Sequence, residues 1–243
     1  MITRVNVAVT PSTVAIGLRG LVVVVIDVLR AMTTITRAFE NGVQSVIPCL
    51  EPEDAIAVRN RVGRDRVLLG GERESRKING FDLDNSPASY EAAIVTGKTV
   101  AFTTTNGTRA LQRVGHAGAV AVLCGSLNNR DAVVRALAGI DAREALLVCA
   151  GQDGEFSFED FFCAGAIAST CVERFPDIAL SDAALAAAVT YRNGAQRAAD
   201  AIASGEHAQS LAALGFRNDI VDAARLDTSS IVPFYRDGEI FRG

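Results

Sequence analysis

Tryptophan is absent from the chain, tyrosine occurs three times and histidine twice. A core with so few aromatic anchors has to be built from Val, Ile, Leu and Ala. With 49% of 243 residues hydrophobic and 21% charged, the chain has the material for a sizeable core and is not of disordered composition. His116 and His207 sit at no ligand spacing to each other or to cysteine, so a His/Cys zinc site is not expected. Lysine is almost missing: Lys77 and Lys98 are the only two among 24 Lys and Arg residues. The net charge is −4, without the basic excess that a nucleic-acid surface needs. The five cysteines form no C-x-x-C pair and lie in apolar contexts, which reads as reduced, buried thiols in a cytoplasmic protein. The longest aliphatic run, residues 21–26, is far too short to cross a bilayer, so no membrane partner is expected. The first residues alternate like a strand and do not resemble a targeting signal. Neither a P-loop nor a G-x-G-x-x-G pattern occurs, which counts against nucleotide and dinucleotide binding.

What is present is alternation. Aliphatic runs at 22–28, 43–50, 66–70, 99–105, 119–124 and 145–150 read as buried strands. Helix-period segments at 33–41, 53–61, 87–96, 108–114 and 130–138 lie between them. This order predicts an α/β fold with a mostly parallel or mixed sheet and helices on both faces. Beyond Phe156 the pattern turns helical, with long helices over 157–175 and 182–203 and shorter ones to Leu226. Asp237-Gly238 between strand formers predicts a closing hairpin over 231–241. No linker composition divides the chain, so a single domain with a helical C-terminal portion, built as one body or as two closely packed lobes, is expected.

In such folds ligands bind beyond the carboxyl ends of the strands. Three junctions there carry polar clusters: Asp27 to Thr34, Thr103 to Arg109, and Gly125 to Arg130. Hydroxyl and amide side chains at such places cap helices as readily as they bind ligands. Arg30, Arg109 and Arg130 are less easily explained by capping. A cation in the first helical turn opposes the helix dipole, whereas an anion between the guanidinium and the free N–H groups reverses that sign. Asp27 follows an unbroken aliphatic run, where packing would not select a carboxylate. The long charged loop 71–87 also leaves a strand end, which favours a functional loop over a merely solvated one.

Two phosphatase chemistries can be tested on the residues. The aspartyl-phosphate type wants a second acid two positions after its nucleophile, and Leu29 stands there. Cys124 to Arg130 fits the Cys-x5-Arg spacing, a short motif that chance supplies readily.

Five segments then point to a family: Ile26 to Thr34, Gly70-Gly71-Glu72-Arg73, Gly80-Phe81-Asp82 with Asn85-Ser86-Pro87, Thr103 to Ala110, and Phe158-Glu159-Asp160. Together with Gly215 to Asp219 and Pro233, and in the same order and spacing, they resemble the 2-phosphosulfolactate phosphatase family over nearly the whole chain. The resemblance implies Mg²⁺-dependent hydrolysis of the phosphate ester of 2-phospho-3-sulfolactate, or of a similar small anionic 2-phospho acid, on an α/β fold distinct from common phosphatase folds. On the residues themselves, Asp27 with Glu159 or Asp160 is expected to hold Mg²⁺, Glu72 is the candidate general base, and Arg30 and Arg109 are expected on the phosphoryl group. Arg73, Thr33, Thr34, Asn85, Ser86, Thr105, Asn106, Gly107, Thr108, Ser126 and Asn128 are the expected substrate contacts. Glu74, Ser75 and Asp84 depart from the family pattern, which more often has small residues there. The competing reading is a non-catalytic sensor of anionic metabolites, and a homo-oligomer is compatible with the sequence.

Overall fold

A computed structural model describes residues 2–14 and 17–243. Along the chain run β1 (Arg4–Ala8), β2 (Leu21–Ile26), α1 (Ala31–Glu40), β3 (Ser45–Pro48), α2 (Pro52–Val62), β4 (Val67–Arg73) and the two-residue β5 (Arg76–Lys77). There follow α3 (Ala92–Val95), β6 (Thr99–Thr103), α4 (Gly107–Gly115), β7 (Ala121–Gly125), α5 (Arg130–Gly139) and β8 (Glu144–Cys149). The last third holds α6 (Phe158–Arg174), β9 (Ala179–Leu180), α7 (Asp182–Gly194), α8 (Ala198–Ala203), α9 (Glu206–Ala213), α10 (Arg217–Ala223), β10 (Pro233–Arg236) and β11 (Glu239–Arg242). The expected α/β fold is present.

The strands form one mixed sheet in the order β5-β4-β6-β3-β11-β10-β7-β2-β8-β1-β9. β2 lies between β7 and β8, parallel to both, and Val22 to Ile26 are wholly buried because helices cover both sides. On one face Val22, Val24 and Ile26 pack with α5, α6 and α7; on the other Val23 and Val25 pack with α1 and α4. The expected hairpin is β10–β11, and Asp237 and Gly238 both take positive φ, as its two-residue turn demands. Its location was not legible: it inserts antiparallel between β3 and β7 and joins two parallel groups of strands.

Three expected elements differ from those observed. Residues 182–203 break after Gly194 into a 3-10 turn and α8; Gly194, at the break, packs so closely on Phe162 that a Cβ would sit 2.9 Å from its ring. Residues 87–96 split into a 3-10 turn (Pro87–Ser89) and α3, since Tyr90 turns inward and its hydroxyl donates to the Asp84 carbonyl. The charged loop 71–87 opens as a β4–β5 hairpin turning at Glu74 and Ser75, with φ of 52° and 62°. Positive φ at both central residues explains why small residues, glycine above all, suit these two positions.

Candidate active site

In a flat sheet the carboxyl ends of β2 and β6, five strands apart, would be separated by about 24 Å. Here α4 packs against β2, β3 and β10 and carries the β6 junction back to the end of β2. The approach is close. A Cβ on Gly107 would lie 2.6 Å from Asp27 Oδ2 and 2.7 Å from the Ala31 Cβ, so this helix start tolerates only glycine.

A polar cavity of about 450 Å³ opens at this rim, with Asp27, Arg30, Glu72, Asn85, Asn106 and His207 among its walls. Asp27 is buried at its floor. Its Oδ1 accepts from the Ala31 amide at 3.0 Å, and Oδ2 accepts from no donor among the described residues. Burial raises its pKa to about 6 against the pull of the Ala31 hydrogen bond and His207, with Glu72 and Glu159 adding to the rise. At the start of α4 the Asn106 side chain makes no capping bond; the Thr104 hydroxyl accepts from the Thr108 amide at 3.3 Å, and the Gly107 and Arg109 amides have no acceptor among the described residues. Asn85 is 4% exposed and its Oδ1 has no partner among the described residues. An orphaned buried amide in a cavity wall is what a ligand would satisfy.

Other groups hold this arrangement in place. Asp160 accepts from the Val28 amide at 2.8 Å and the Gly151 amide at 3.1 Å, tying the β2 and β8 junctions together beneath Asp27. Burial, followed by the charges of Asp27 and Glu159, pushes its carboxyl well above the usual carboxylate range. Glu159, 2% exposed, holds His207 Nδ1 at 2.9 Å, which leaves Nε2 as the free ring nitrogen. Glu72 accepts from the Thr105 amide and hydroxyl through Oε1 and from the Ser75 amide through Oε2. Three donors on its two oxygens make it a clamp between the β4–β5 turn and the β6 junction, with the second lone pair of Oε2 left at the cavity wall. Arg73 is likewise occupied by the carbonyls of Leu50 and Glu72 and the Thr103 hydroxyl.

Several expected contacts lie elsewhere. The Thr33 hydroxyl donates to the Val28 carbonyl and that of Thr34 to the Asn85 carbonyl. Thr108, fully buried, bonds back to Thr104. Ser86 donates to Asp219 at 2.7 Å. None of these four lines the cavity. The entire β7 junction is also away from it: Ser126 and Asn129 cap one another, Asn128 clasps the Asp222 and Arg225 carbonyls, and Arg130 is paired with Asp227. Cys124 is fully buried and its thiol pushed far up, so the Cys-x5-Arg spacing is coincidental. Arg109, 59% exposed, belongs to an adjoining depression of about 310 Å³ that shares Thr105, Asn106 and Asp153 with the cavity. Asp84 caps the Pro87–Ser89 turn through Ser86 and Ser89 and adds no charge to the cavity wall.

Two residues escaped the sequence reading. His207 has no ligand-like spacing, and only the packing of α9 on Glu159 brings it in. Asp219 lies within the motif of the resemblance, yet nothing in the sequence links it to Arg30, whose guanidinium it holds at 2.9 Å.

A divalent cation can be tested against this donor set. Mg²⁺ keeps several waters and commonly takes one or two carboxylates together with substrate phosphate oxygens. Asp27 Oδ2, open in a polar cavity, suits that role. Among the described residues no three His, Cys, Asp or Glu side chains group to hold an ion by themselves. The residues therefore fit Mg²⁺ shared with substrate and water, and not a closed all-protein cage.

A buried carboxylate, a guanidinium and a junction leading into a helix start around one small polar cavity are the groups that a phosphate-handling α/β enzyme brings together. Residues 9–238 match the family model described as 2-phosphosulpholactate phosphatase, and the chain belongs to that family. It is similar to a probable 2-phosphosulfolactate phosphatase of Symbiobacterium thermophilum, 42% identical over 92% of this chain and 94% of the relative. Similar proteins with the same description come from Caldanaerobacter subterraneus, at 43% identity over 89% and 88% of the two chains, and Clostridium acetobutylicum, at 38% over 89% and 90%.

Proposed function

We propose that this chain hydrolyses the phosphate ester of 2-phospho-3-sulfolactate, or of a closely similar 2-phospho acid, to the free 2-hydroxy acid and inorganic phosphate, with Mg²⁺. One observation carries this reading: Asp27, Arg30 and the Thr104–Asn106 junction that leads into α4 line the same small polar cavity. Asp27 would hold the cation, which when bound supplies charge neutralisation to the phosphoryl oxygens and orients the attacking water. Arg30 and the Gly107 and Arg109 amides receive the phosphoryl oxygens, where preorganised donors do the most for a transition state that spreads charge over them. Asn85 Oδ1, without a donor among the described residues, is an acceptor and takes a proton-bearing group, a bound water or a hydroxyl of the released 2-hydroxy acid. His207, also in the cavity lining, offers Nε2, and Arg109 in the adjoining depression attracts the anion from solvent. Glu72 and Asp160 keep the loops in register.

The support is the fit between a compact, polar, donor-rich cavity and a small molecule carrying several negative charges, since such charges leave water only for matched partners. Five free, buried cysteines accord with a reducing compartment, the cytoplasm. No helix among the described residues is long and apolar enough to cross a membrane. The decisive experiment is phosphate release from 2-phosphosulfolactate with and without EDTA, for wild type and Asp27→Asn. Turnover that survives EDTA in both proteins would overturn the scheme. Tight binding of the acid without turnover would favour the sensor reading.

A further inference from the structure

Arg30 is a guanidinium almost sealed from water, 3% exposed, at the wall of a cavity that needs it in one orientation. Its NH1 donates to Asp219 Oδ2 at 2.9 Å, its NH2 donates to the Ser75 carbonyl at 2.9 Å, and the Phe216 ring covers one face with its centroid 4.1 Å from Cζ. Two directed bonds and one covered face fix the plane of a rigid fork. The other Asp219 oxygen, Oδ1, accepts from the Ser86 hydroxyl at 2.7 Å, so this carboxylate cannot rotate either. Of the five guanidinium N–H groups, two are used in this way and the rest have no protein acceptor among the described residues.

We propose that Asp219, locked by Ser86 and assisted by Phe216, positions Arg30 for catalysis. The segment from Phe216 to Asp219, 189 residues from Arg30 at the Asp219 contact, thereby belongs to the phosphoryl-transfer machinery although it touches no substrate. This inference rests on the reading of the cavity as a phosphoryl site and adds to it the device that holds its cation. Asp219 does two opposed things. It offsets part of the guanidinium's charge before substrate arrives, which weakens ground-state attraction. It also fixes the remaining donors, which favours the transition state over the ground state. A misplacement of a positioned group by about 1 Å is enough to cost on the order of 100-fold in rate. The signature of positioning is thus a loss in kcat with KM nearly unchanged or lower. A residue that merely stabilised the fold would lower the amount of active enzyme and leave the constants of the folded fraction alone.

The test is a double-mutant cycle on kcat with Arg30→Ala, Asp219→Asn and the double variant. Asp219→Asn keeps shape and one acceptor oxygen, which guards against unfolding. We expect a loss of about 10- to 100-fold for Asp219→Asn, a larger one for Arg30→Ala, and no further loss beyond about two-fold in the double variant, because residues acting as a unit are not additive. Ser86→Ala should lose about three- to ten-fold in kcat and Ser86→Thr should recover it. Additive losses in the cycle, or an unchanged kcat in Asp219→Asn, would overturn the inference. A readout free of substrate separates it from the reading it rests on. The Arg30 Nη resonances of ¹⁵N-arginine-labelled protein should show hindered rotation in wild type that is lost in Asp219→Asn. Equal rotation in both defeats the positioning role even if phosphate is released, and hindered rotation in a wild type that releases no phosphate defeats the function alone.

Discussion

The junction after β6 and the junction after β7 read alike in sequence: each ends an aliphatic strand, continues in hydroxyl and amide side chains, and carries an arginine at the next helix start. In the folded chain they have opposite roles. After β6, Thr104, Thr105 and Asn106 line a cavity, and the Gly107 and Arg109 amides that follow have no acceptor among the described residues. After β7, Ser126 and Asn129 form a reciprocal cap, Asn129 also donates to the Cys124 and Ile231 carbonyls, and Arg130 is neutralised by Asp227. Composition does not distinguish a binding rim from a structural clasp. Unfilled hydrogen-bonding capacity does, because a buried polar group without a protein partner calls for something else to pair with it.

The sharpest way to break this comparison is at Asp27, whose Oδ2 is the open acceptor of the functional rim. Asp27→Asn keeps the volume and the bond from Ala31 but removes the negative charge. Phosphate release should fall by about 1,000-fold or more, within the range associated with losing a catalytic ionisable group. A loss of less than ten-fold would move the centre of the chemistry elsewhere in the cavity.

On the β7 side the expected damage is to stability. Asn129→Ala would strand the Ser126 amide and the Cys124 and Ile231 carbonyls inside the protein. We expect about 2–4 kcal/mol of destabilisation, with kcat of the folded enzyme unchanged. That corresponds to a drop in Tm of roughly 4–16 °C for a chain of this size. The measurement is a denaturant or thermal melt alongside active-site-normalised kinetics, and a selective loss of kcat would contradict the assignment.

Asp27 should show the reverse balance. Folding raises its carboxyl from 3.8 to about 6, chiefly by burial. Between those values the native chain keeps a proton that the unfolded chain has released. The favourable contribution is complete below about pH 4 and is lost as pH rises through 6. At about 1.4 kcal/mol per unit, Asp27→Asn should stabilise the metal-free protein by roughly 2–3 kcal/mol at pH 8 and by little at pH 4. Melts in EDTA across that range check it; a wild type no less stable than the variant at pH 8 would refute it.

Much of the scaffold was legible because it depends on local pattern. The Val22 to Ile26 run declares a strand buried on both faces, and Asp237-Gly238 declares a turn. The insertion of the C-terminal hairpin into the sheet was not legible, since it is set by pairings such as Ile240 with Val46, far apart in sequence. The same holds for the site. Asp27, Arg30 and Asn106 stood out because strand ends and helix starts are local features. His207 and Asp219 did not, because helices packed from the far end of the chain deliver them. Thr33, Thr34 and Ser126 were over-read for the converse reason: a hydroxyl near a helix start shows its chemistry in sequence but not whether a carbonyl or amide already engages it.

Arg109 lies between the two cases, in a depression that adjoins the cavity, and its side chain is largely in solvent. An exposed cation beside an anion site acts over distance and is screened by salt. Arg109→Ala should raise KM by about two- to five-fold at low ionic strength and leave kcat unchanged, and the difference should vanish above roughly 0.3 M salt. A loss in kcat that persists at high salt would instead place Arg109 in direct contact with the phosphoryl group.

Ser126→Ala should do least, and for that reason it tests the comparison most directly. Ser126 is fully buried at a strand's carboxyl end, the position where a ligand contact would be sought first. Its hydroxyl meets Asn129 Oδ1 at 3.3 Å, while the shorter bond to that oxygen, 2.8 Å, comes from the Ser126 backbone amide, which alanine retains. Stability should therefore fall by no more than about 1 kcal/mol, and kcat and KM should stay within about two-fold of wild type. If a substitution this mild depressed kcat ten-fold, hydrogen-bond satisfaction would not be the property that separates the two junctions, and the β7 end of the sheet would have to be counted as part of the catalytic rim.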